Sequence, residues 1–442
     1  MRERVRLGSG YWRLWTASVV SNLGDGVATV AYPWLASAIT RDPVQIALIG
    51  VATRLPWLLF TLPAGVITDR LDRRRLIASM DAVRFGMTIG VALFVTAVAD
   101  DLVDPTAADS APGANAVHLL VLYAAALAFG FAEVLRDNAA QTVMPALVDR
   151  SQLERANGRL WGAEMVMNSF VGPPMGGLLI GLAFALPFFV DAATFAVSAV
   201  LIASLGGTFR ATGEPSAGRP SFRADIVEGV RWLWRHRLLR TMAIILGVMN
   251  AVVMMALSTY VLFVQEILGL AAASFGVLLS AGAVGGVLGS VLASRISRRI
   301  GRGASLFTAI AVSGATLFVT GLTSSAPVVW SMFVLSSFVA VLWNVITVSL
   351  RQTIIPDRLL GRVNSVYRLF AWGMVPVGSV LGGVMVAVTE PLAGRSTALR
   401  APFFLGSLVF LALFLYALPT LNTARIREAT AAAESETPTA PA

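Results

Sequence analysis

Two ionisable side chains stand where an apolar chain has the least reason to place them. Asp25 lies near the middle of the apolar stretch 13–40, and Arg54 lies about eleven residues into the next one, 43–69. At 1.5 Å rise per residue the two reach similar depths on antiparallel neighbours, so a buried ion pair is feasible. Asn22, Thr29 and Tyr32 share the helical face of Asp25 at i−3, i+4 and i+7, a polar stripe that must face protein or water. Glu133, Arg136, Asp137 and Gln141 recur at helical spacing within 117–145, and Glu164 precedes Asn168 by four residues within 155–182. Asp191 opens the stretch 187–206, near where an N-cap would sit. Asn250, Trp343 and Asn344 add polar groups to later stretches. An ionised group in hydrocarbon costs about 3 kcal/mol on insertion scales, so each needs a reason. One reason is a structural ion pair. The other is a carboxyl that carries a proton and changes environment between two states. Asp25 leads that second reading, with Glu133 and Glu164 in reserve.

Other chemistries are excluded by residue type. The chain has no cysteine and only His118 and His236, which removes disulfides, thiolate catalysis and nearly all zinc sites, and no metal or cofactor is expected. None of its basic residues is lysine, so a phosphate-binding loop ending in Gly-Lys-Ser/Thr is impossible and the chain carries no nucleotide motor of its own. No Ser/Lys, Ser/His or paired-Asp arrangement supplies a nucleophile and base, so an enzyme is not expected.

These residues are embedded in a chain that is 56% hydrophobic and 13% charged, with mean hydropathy +0.75. A soluble domain carries about a quarter charged residues, so most of this surface must face lipid. The reading is all-α integral membrane, with twelve spans at 13–40, 43–69, 76–99, 117–145, 155–182, 187–206, 239–266, 272–294, 303–323, 326–350, 362–388 and 399–419. A net charge of +9 in a soluble protein would suggest nucleic acid. Here the arginines cluster in alternate loops: Arg2 to Arg6, Arg70 to Arg75, Arg150 and Arg155, 207–238, Arg295 to Arg302, Arg358 and Arg362, and Arg425 and Arg427. No nucleic-acid partner is implied. The clusters place both termini in the cytoplasm of a multi-pass protein of the cell membrane. The loop 100–116, with Asp100, Asp101, Asp104 and Asp109, is a solvated spacer on the opposite side. Residues 1–206 form one six-helix half, 207–238 a linker with an interfacial helix carrying Trp232 and Trp234, 239–420 a second half, and 421–442 a disordered tail.

The halves align. Asn22 and Tyr32 match Asn250 and Tyr260, Arg70-x-x-Arg73-Arg74 matches Arg295-x-x-Arg298-Arg299, and Gly172-x-x-x-Gly176-Gly177 matches Gly378-x-x-x-Gly382-Gly383. Duplicated six-span halves are transporter architecture, with a site between them. The glycine runs, lying inside apolar spans with Pro173 among them, read as close helix packing and a kink.

These segments together resemble the major facilitator superfamily, in the branch of macrolide-type drug exporters and the enterobactin exporter. The loop Gly65-Val-Ile-Thr-Asp69-Arg70-Leu-Asp72-Arg73-Arg74 is similar to the superfamily motif between spans two and three, with Asp72 where the general pattern has glycine. Gly172-Pro173-x-x-Gly176-Gly177 resembles the core of the antiporter motif, although Arg159 and Asn168 stand where its earlier glycines would be. Asn22-Leu-Gly-Asp25, Arg54-Leu-Pro56, Leu153-x-Arg155-Ala-Asn157, Asp191-Ala-Ala-Thr-Phe195 and Gly361-Arg362-Val-Asn364 look like the exporter branch itself. The resemblance implies alternating access in a monomer, a cavity lined by spans one, four, seven and ten, a small-molecule substrate and protons as coupling ion. It also implies a cytoplasmic latch at Gly65 to Arg74, with Asp69 facing the N-terminus of the eleventh span and Arg73 and Arg74 pairing with acidic groups near Asp137. Export of a lipid or siderophore in place of a drug fits the same residues, and a permease subunit of an ATP-driven transporter fits them less well.

Overall fold

In hydrocarbon each apolar stretch must close its own backbone hydrogen bonds, and it does so by becoming helical. A computed structural model of the chain describes residues 7–102, 115–149, 152–207, 209 and 222–436. Arg2 to Arg6, Arg150, most of the acidic loop, the start of the 207–238 connection and the last six residues lie outside the described residues.

The helices are α1 (Ser9–Ile39), α2 (Pro43–Arg70), α3 (Arg73–Ala97), α4 (Ala116–Leu147), α5 (Leu153–Met165), α6 (Gly172–Leu182), α7 (Leu186–Ala203), α8 (Phe222–Arg235), α9 (Arg237–Leu257), α10 (Tyr260–Glu266), α11 (Ala272–Ile300), α12 (Arg302–Leu322), α13 (Ala326–Ile354), α14 (Asp357–Ala393), α15 (Arg395–Ala417) and α16 (Thr423–Glu436). Among the described residues, eleven stretches are long and apolar enough to cross a membrane, with α5–α6 counting as one and α9–α10 as another. The 31-residue α1 makes the twelfth, its apolarity diluted by Asn22, Asp25 and several serines. The protein is an all-α integral membrane protein of the expected twelve-helix kind.

Local sequence sets the boundaries. Asp42 accepts the Val44 and Gln45 amides at 2.7 and 3.2 Å and starts α2, and Asn115 accepts Val117 at 3.0 Å and starts α4. Gly301 (φ 88°) and Gly394 (φ 81°) turn α11 into α12 and α14 into α15 through one residue whose backbone angle only glycine adopts freely. Between α5 and α6 the chain widens into a π turn at Val166–Val171. Pro173 and Pro174 lack the amides that would bond to Ser169 and Phe170, which explains the widening.

The chain divides into two compact units. Unit 1 is Met1–Glu214 with Val261–Ser280, and unit 2 is Pro215–Tyr260 with Ala281–Ala442. The expected boundary at 239 therefore misses a transfer: α10 and the start of α11 belong with the first six spans. Glycine explains it, because Gly177 lies against the Ala272 backbone and Gly276 against that of Pro173. Gln265 donates to Ser37 Oγ at 2.8 Å, Arg41 donates to Gln265, and Arg41 lies 3.8 Å from Glu266.

Within unit 1, α1 packs on α6 and α7, α2 on α4, and α3 on α4 and α7. Within unit 2, α9 packs on α14, and α12 on α13 and α15. The duplicated glycines do the same work twice. Gly172 and Gly176 let α6 touch Gly26 and Val27 of α1, while Gly378 and Gly382 let α14 touch Ala251 and Met255 of α9. The linker helix is present as α8. Its Leu233 is buried, Gly229 packs on Arg362, and Glu228 pairs with Arg362. The tail departs from expectation, since 423–436 is helical and not disordered. Its Ala, Arg and Glu residues favour helix, Asn422 caps it by accepting the Arg425 amide at 2.8 Å, and Ile426 is buried against unit 2.

Candidate functional site

Unit 1 carries a buried charge cluster built from four helices. Asp25 of α1 is held by Arg84 of α3, whose Nη1 also lies 3.3 Å from Ser21 Oγ. The expected partner, Arg54, is not the counter-charge. Depth alone did not decide it: Arg84, one per cent exposed, reaches Asp25 directly, while Arg54 of α2 acts on Glu133. Arg84 lies 3.6 Å from Asp81 one turn earlier, and its guanidinium sits over the rings of Phe129 (4.6 Å) and Phe195 (3.9 Å). Those faces offset part of the cost of burying the charge.

Asp81 joins α3 to two more helices. Ser198 of α7 donates to its Oδ2 at 2.6 Å, and Arg136 of α4 lies 3.5 Å from its Oδ1. Arg136 also binds Asp137 at 3.1 Å. Glu133, which shares a face with Arg136, instead accepts from Trp57 Nε1 of α2 at 3.3 Å. Glu164 of α5 is half-buried beside the π turn, within electrostatic reach of Arg136 and Asp137. Asp191 is not a cap. It lies more than a turn inside α7, buried, over Gly24 of α1, where any Cβ would collide with it. Thr194 donates at 2.6 Å to the backbone carbonyl of Asp191, and the two carboxyl oxygens make no hydrogen bond among the described residues.

The remaining sequence candidates scatter. Asn22 donates to the Ser18 carbonyl of its own helix at 2.9 Å and Thr29 to that of Asp25 at 3.0 Å. Asn250 bonds the Ala371 carbonyl at 2.8 Å, tying α9 to α14, and Asn344 is exposed on α13. Trp343 is buried beside it, a packing residue. Asp81, Arg84, Trp57 and Ser198 were not singled out by sequence reasoning. The signal was there for two of them, because Asp81 and Arg84 stand one turn apart inside the apolar run Arg73–Ala97.

At the arginine-rich end, Asp72 occupies the position where the motif prefers glycine, and the structure gives it a use. It caps α3, accepting the Arg75 amide at 3.0 Å, and it accepts the Phe209 amide at 3.0 Å. Burial acts to raise its carboxyl pKa, but those two amides with Arg74 and Arg75 outweigh burial and hold it below the ordinary value. Arg73 donates to the Thr142 carbonyl at 3.1 Å and Arg74 to that of Leu205. The expected pairing of Arg74 with acidic groups near Asp137 gives way to a carbonyl left open beyond the end of α7, and Asp137 is taken by Arg136. Arg70 is exposed, Gly65 has open space around it, and the Asp69 side chain lies outside the described residues.

Comparison with known proteins adds family to geometry. The family model described as transmembrane secretion effector matches residues 9–436. The chain is 29% identical over 416 residues to the multidrug efflux pump Tap of Mycolicibacterium fortuitum, covering 92% of this chain and 96% of that one. It is 24% identical over 406 residues to the enterobactin exporter EntS of Salmonella choleraesuis, covering 90% of each. Among solved structures, a bacterial homologue of the human lysosomal transporter Spinster superposes with a TM-score of 0.67 at 15% identity, covering 98% of each chain.

Proposed function

Because the chain belongs to the transmembrane secretion effector family of major facilitator transporters, we propose that it exports small amphipathic molecules from the cell in exchange for protons, by alternating access. Membership makes it a membrane transporter and not an enzyme. The drug-efflux and siderophore-export relatives support an amphipathic substrate, either a drug-like compound or a siderophore. The arginine-rich end faces the cytoplasm with both termini, and the protein works as a monomer in the bilayer. Asp69 to Arg74 serve as its cytoplasmic latch.

The observation that carries proton exchange is the access of Asp25. Its side chain is 18% exposed, while Arg84 and Asp81 behind it are 1% and 0% exposed. Asp25 and Asp137, the latter 33% exposed, thus form the open edges of a cluster closed around Asp81 and Arg84, and Asp25 is the one paired to that interior by Arg84. That cluster holds the carboxyls of Asp25, Asp81, Glu133, Asp137 and Asp191 against the guanidiniums of Arg54, Arg84 and Arg136. Asp25 carries the exchangeable proton, and Arg84 is the charge that receives it when the proton leaves.

The test uses everted vesicles and counterflow without a gradient. Asp25→Asn removes the proton cycle but keeps the space filled, so accumulation against a gradient disappears while passive exchange persists. Wild-type accumulation in that variant passes the role to Glu133 or Glu164. Topology is tested by single cysteines in this cysteine-free chain: one at Ala108 labels from outside and one at Gly213 only after permeabilisation.

A further inference from the structure

At the arginine-rich end of unit 2 a cavity of about 510 Å³ opens among the last turn of α11, the first turn of α12, α13 and α16. Arg298, Arg302 and Arg427 line it with Ser297, Ser349 and Thr430, and among the described residues no carboxylate lines it. Glu428 neighbours Arg427 in sequence but is not part of the wall. Among the described residues none accepts a hydrogen bond from the three arginines. The matching arginines of unit 1 differ, since Arg73 and Arg74 end on the Thr142 and Leu205 carbonyls. The three arginines are exposed on one cavity wall, so their like charges favour an anion there.

The backbone is shaped to the same end. Gly301 brings Arg298 and Arg302 to one rim through a single-residue turn. Gly303 admits Thr423 so closely that a Cβ there would lie 2.7 Å from the Thr423 hydroxyl. The amide-bearing starts of α12 and α16 are therefore neighbours, and both add positive potential. We propose that this cavity binds a phosphate group, carried either by an anionic phospholipid headgroup or by a free phosphate. Guanidiniums pair with phosphate oxygens through parallel N–H bonds, and the hydroxyls take the oxygens that remain.

The experiment uses the full chain. Thermal unfolding is followed in detergent against inorganic phosphate, and in nanodiscs of phosphatidylcholine with and without phosphatidylglycerol. Three variants accompany the wild type: R298Q/R302Q/R427Q removes the charges, S297L/S349L fills the cavity and keeps them, and R295Q/R299Q removes arginines outside the cavity. Stabilisation of the wild type by phosphate in detergent identifies a free anion, and stabilisation only by phosphatidylglycerol identifies a headgroup. In either case apparent affinity falls about tenfold or more in the first two variants and stays near wild type in the third. Two results overturn the proposal: neither probe stabilises the wild type, or S297L/S349L responds like the wild type, which reduces the effect to surface charge. If the triple variant fails to fold, S297L/S349L decides alone.

Discussion

The two units share a helical frame and differ in what they bury. Among the described residues, the buried aspartates and arginines, namely Asp72, Asp81, Arg84, Arg136 and Asp191, all belong to unit 1, whereas unit 2 buries hydroxyls: Thr241, Thr259, Ser305, Ser313, Thr316, Thr320, Thr347, Ser379 and Thr420. Several of those hydroxyls are satisfied inside their own helix, as Thr316 by Ser313 and Thr347 by Trp343, at 2.8 and 2.9 Å. Their packing is independent of protonation. Asp25, Asp81, Arg84 and Arg136 of unit 1 are paired across α1, α3 and α4, with Ser198 of α7 on Asp81, so gain or loss of a proton at one of them alters contacts between helices. The two halves share the glycine contacts, and among the described residues buried aspartates and arginines belong to one half.

The largest expected effect breaks that contrast if it fails. Arg84→Ala leaves Asp25 without its guanidinium and Asp81 with Arg136 alone, and removing one partner of a buried pair costs about 3–5 kcal/mol. Asn250→Ala, at the corresponding place in unit 2 relative to Asn22, loses one hydrogen bond at about 1 kcal/mol. Thermal unfolding of the two purified variants is compared in one detergent, and equal losses would mean that the cluster is no more than another set of polar contacts. Arg84→Lys keeps the charge but not the fork, and recovers part of the difference.

A second pair sharpens what the halves have in common. Gly172→Val drives side-chain atoms into Gly26, and Gly378→Val drives them into Ala251. Both overpack a backbone contact, at about 1–3 kcal/mol each, and similar falls in unfolding temperature are expected. A loss confined to one unit would show that the duplicated glycines no longer serve the same packing.

Much of this was legible in the sequence because it rests on period and residue type. Twelve apolar runs, the glycine repeat and the polar face of α1 each follow from spacing. The partner of Asp25 did not follow, because Arg54 and Arg84 lie at comparable places in neighbouring spans and only the packing of α1 and α3 on the same helix, α7, selects one. Asp191 was read as a cap for a similar reason: helix starts are uncertain by a few residues, and α7 begins at Leu186. The tail was read from its composition, which resembles disorder until Asn422 and Ile426 are seen to anchor it.

The smallest effect concerns Asp72, where unit 1 has an acidic residue that no matching position in unit 2 supplies, since Ser297 stands between Arg295 and Arg298 there. Asp72→Asn keeps a capping oxygen but loses the negative charge that the Arg75 and Phe209 amides and the neighbouring arginines favour, a cost of about 1 kcal/mol. The native carboxyl pKa lies below its unfolded value. The contribution is therefore complete above the unfolded value of about 4 and disappears as pH falls through the lower native one. The wild type should unfold at a higher temperature than the variant by a constant margin from pH 7 to about pH 5, with the margin closing below about pH 4. A margin that is unchanged at pH 3 would assign the benefit of Asp72 to packing at the Phe209 contact and not to its charge.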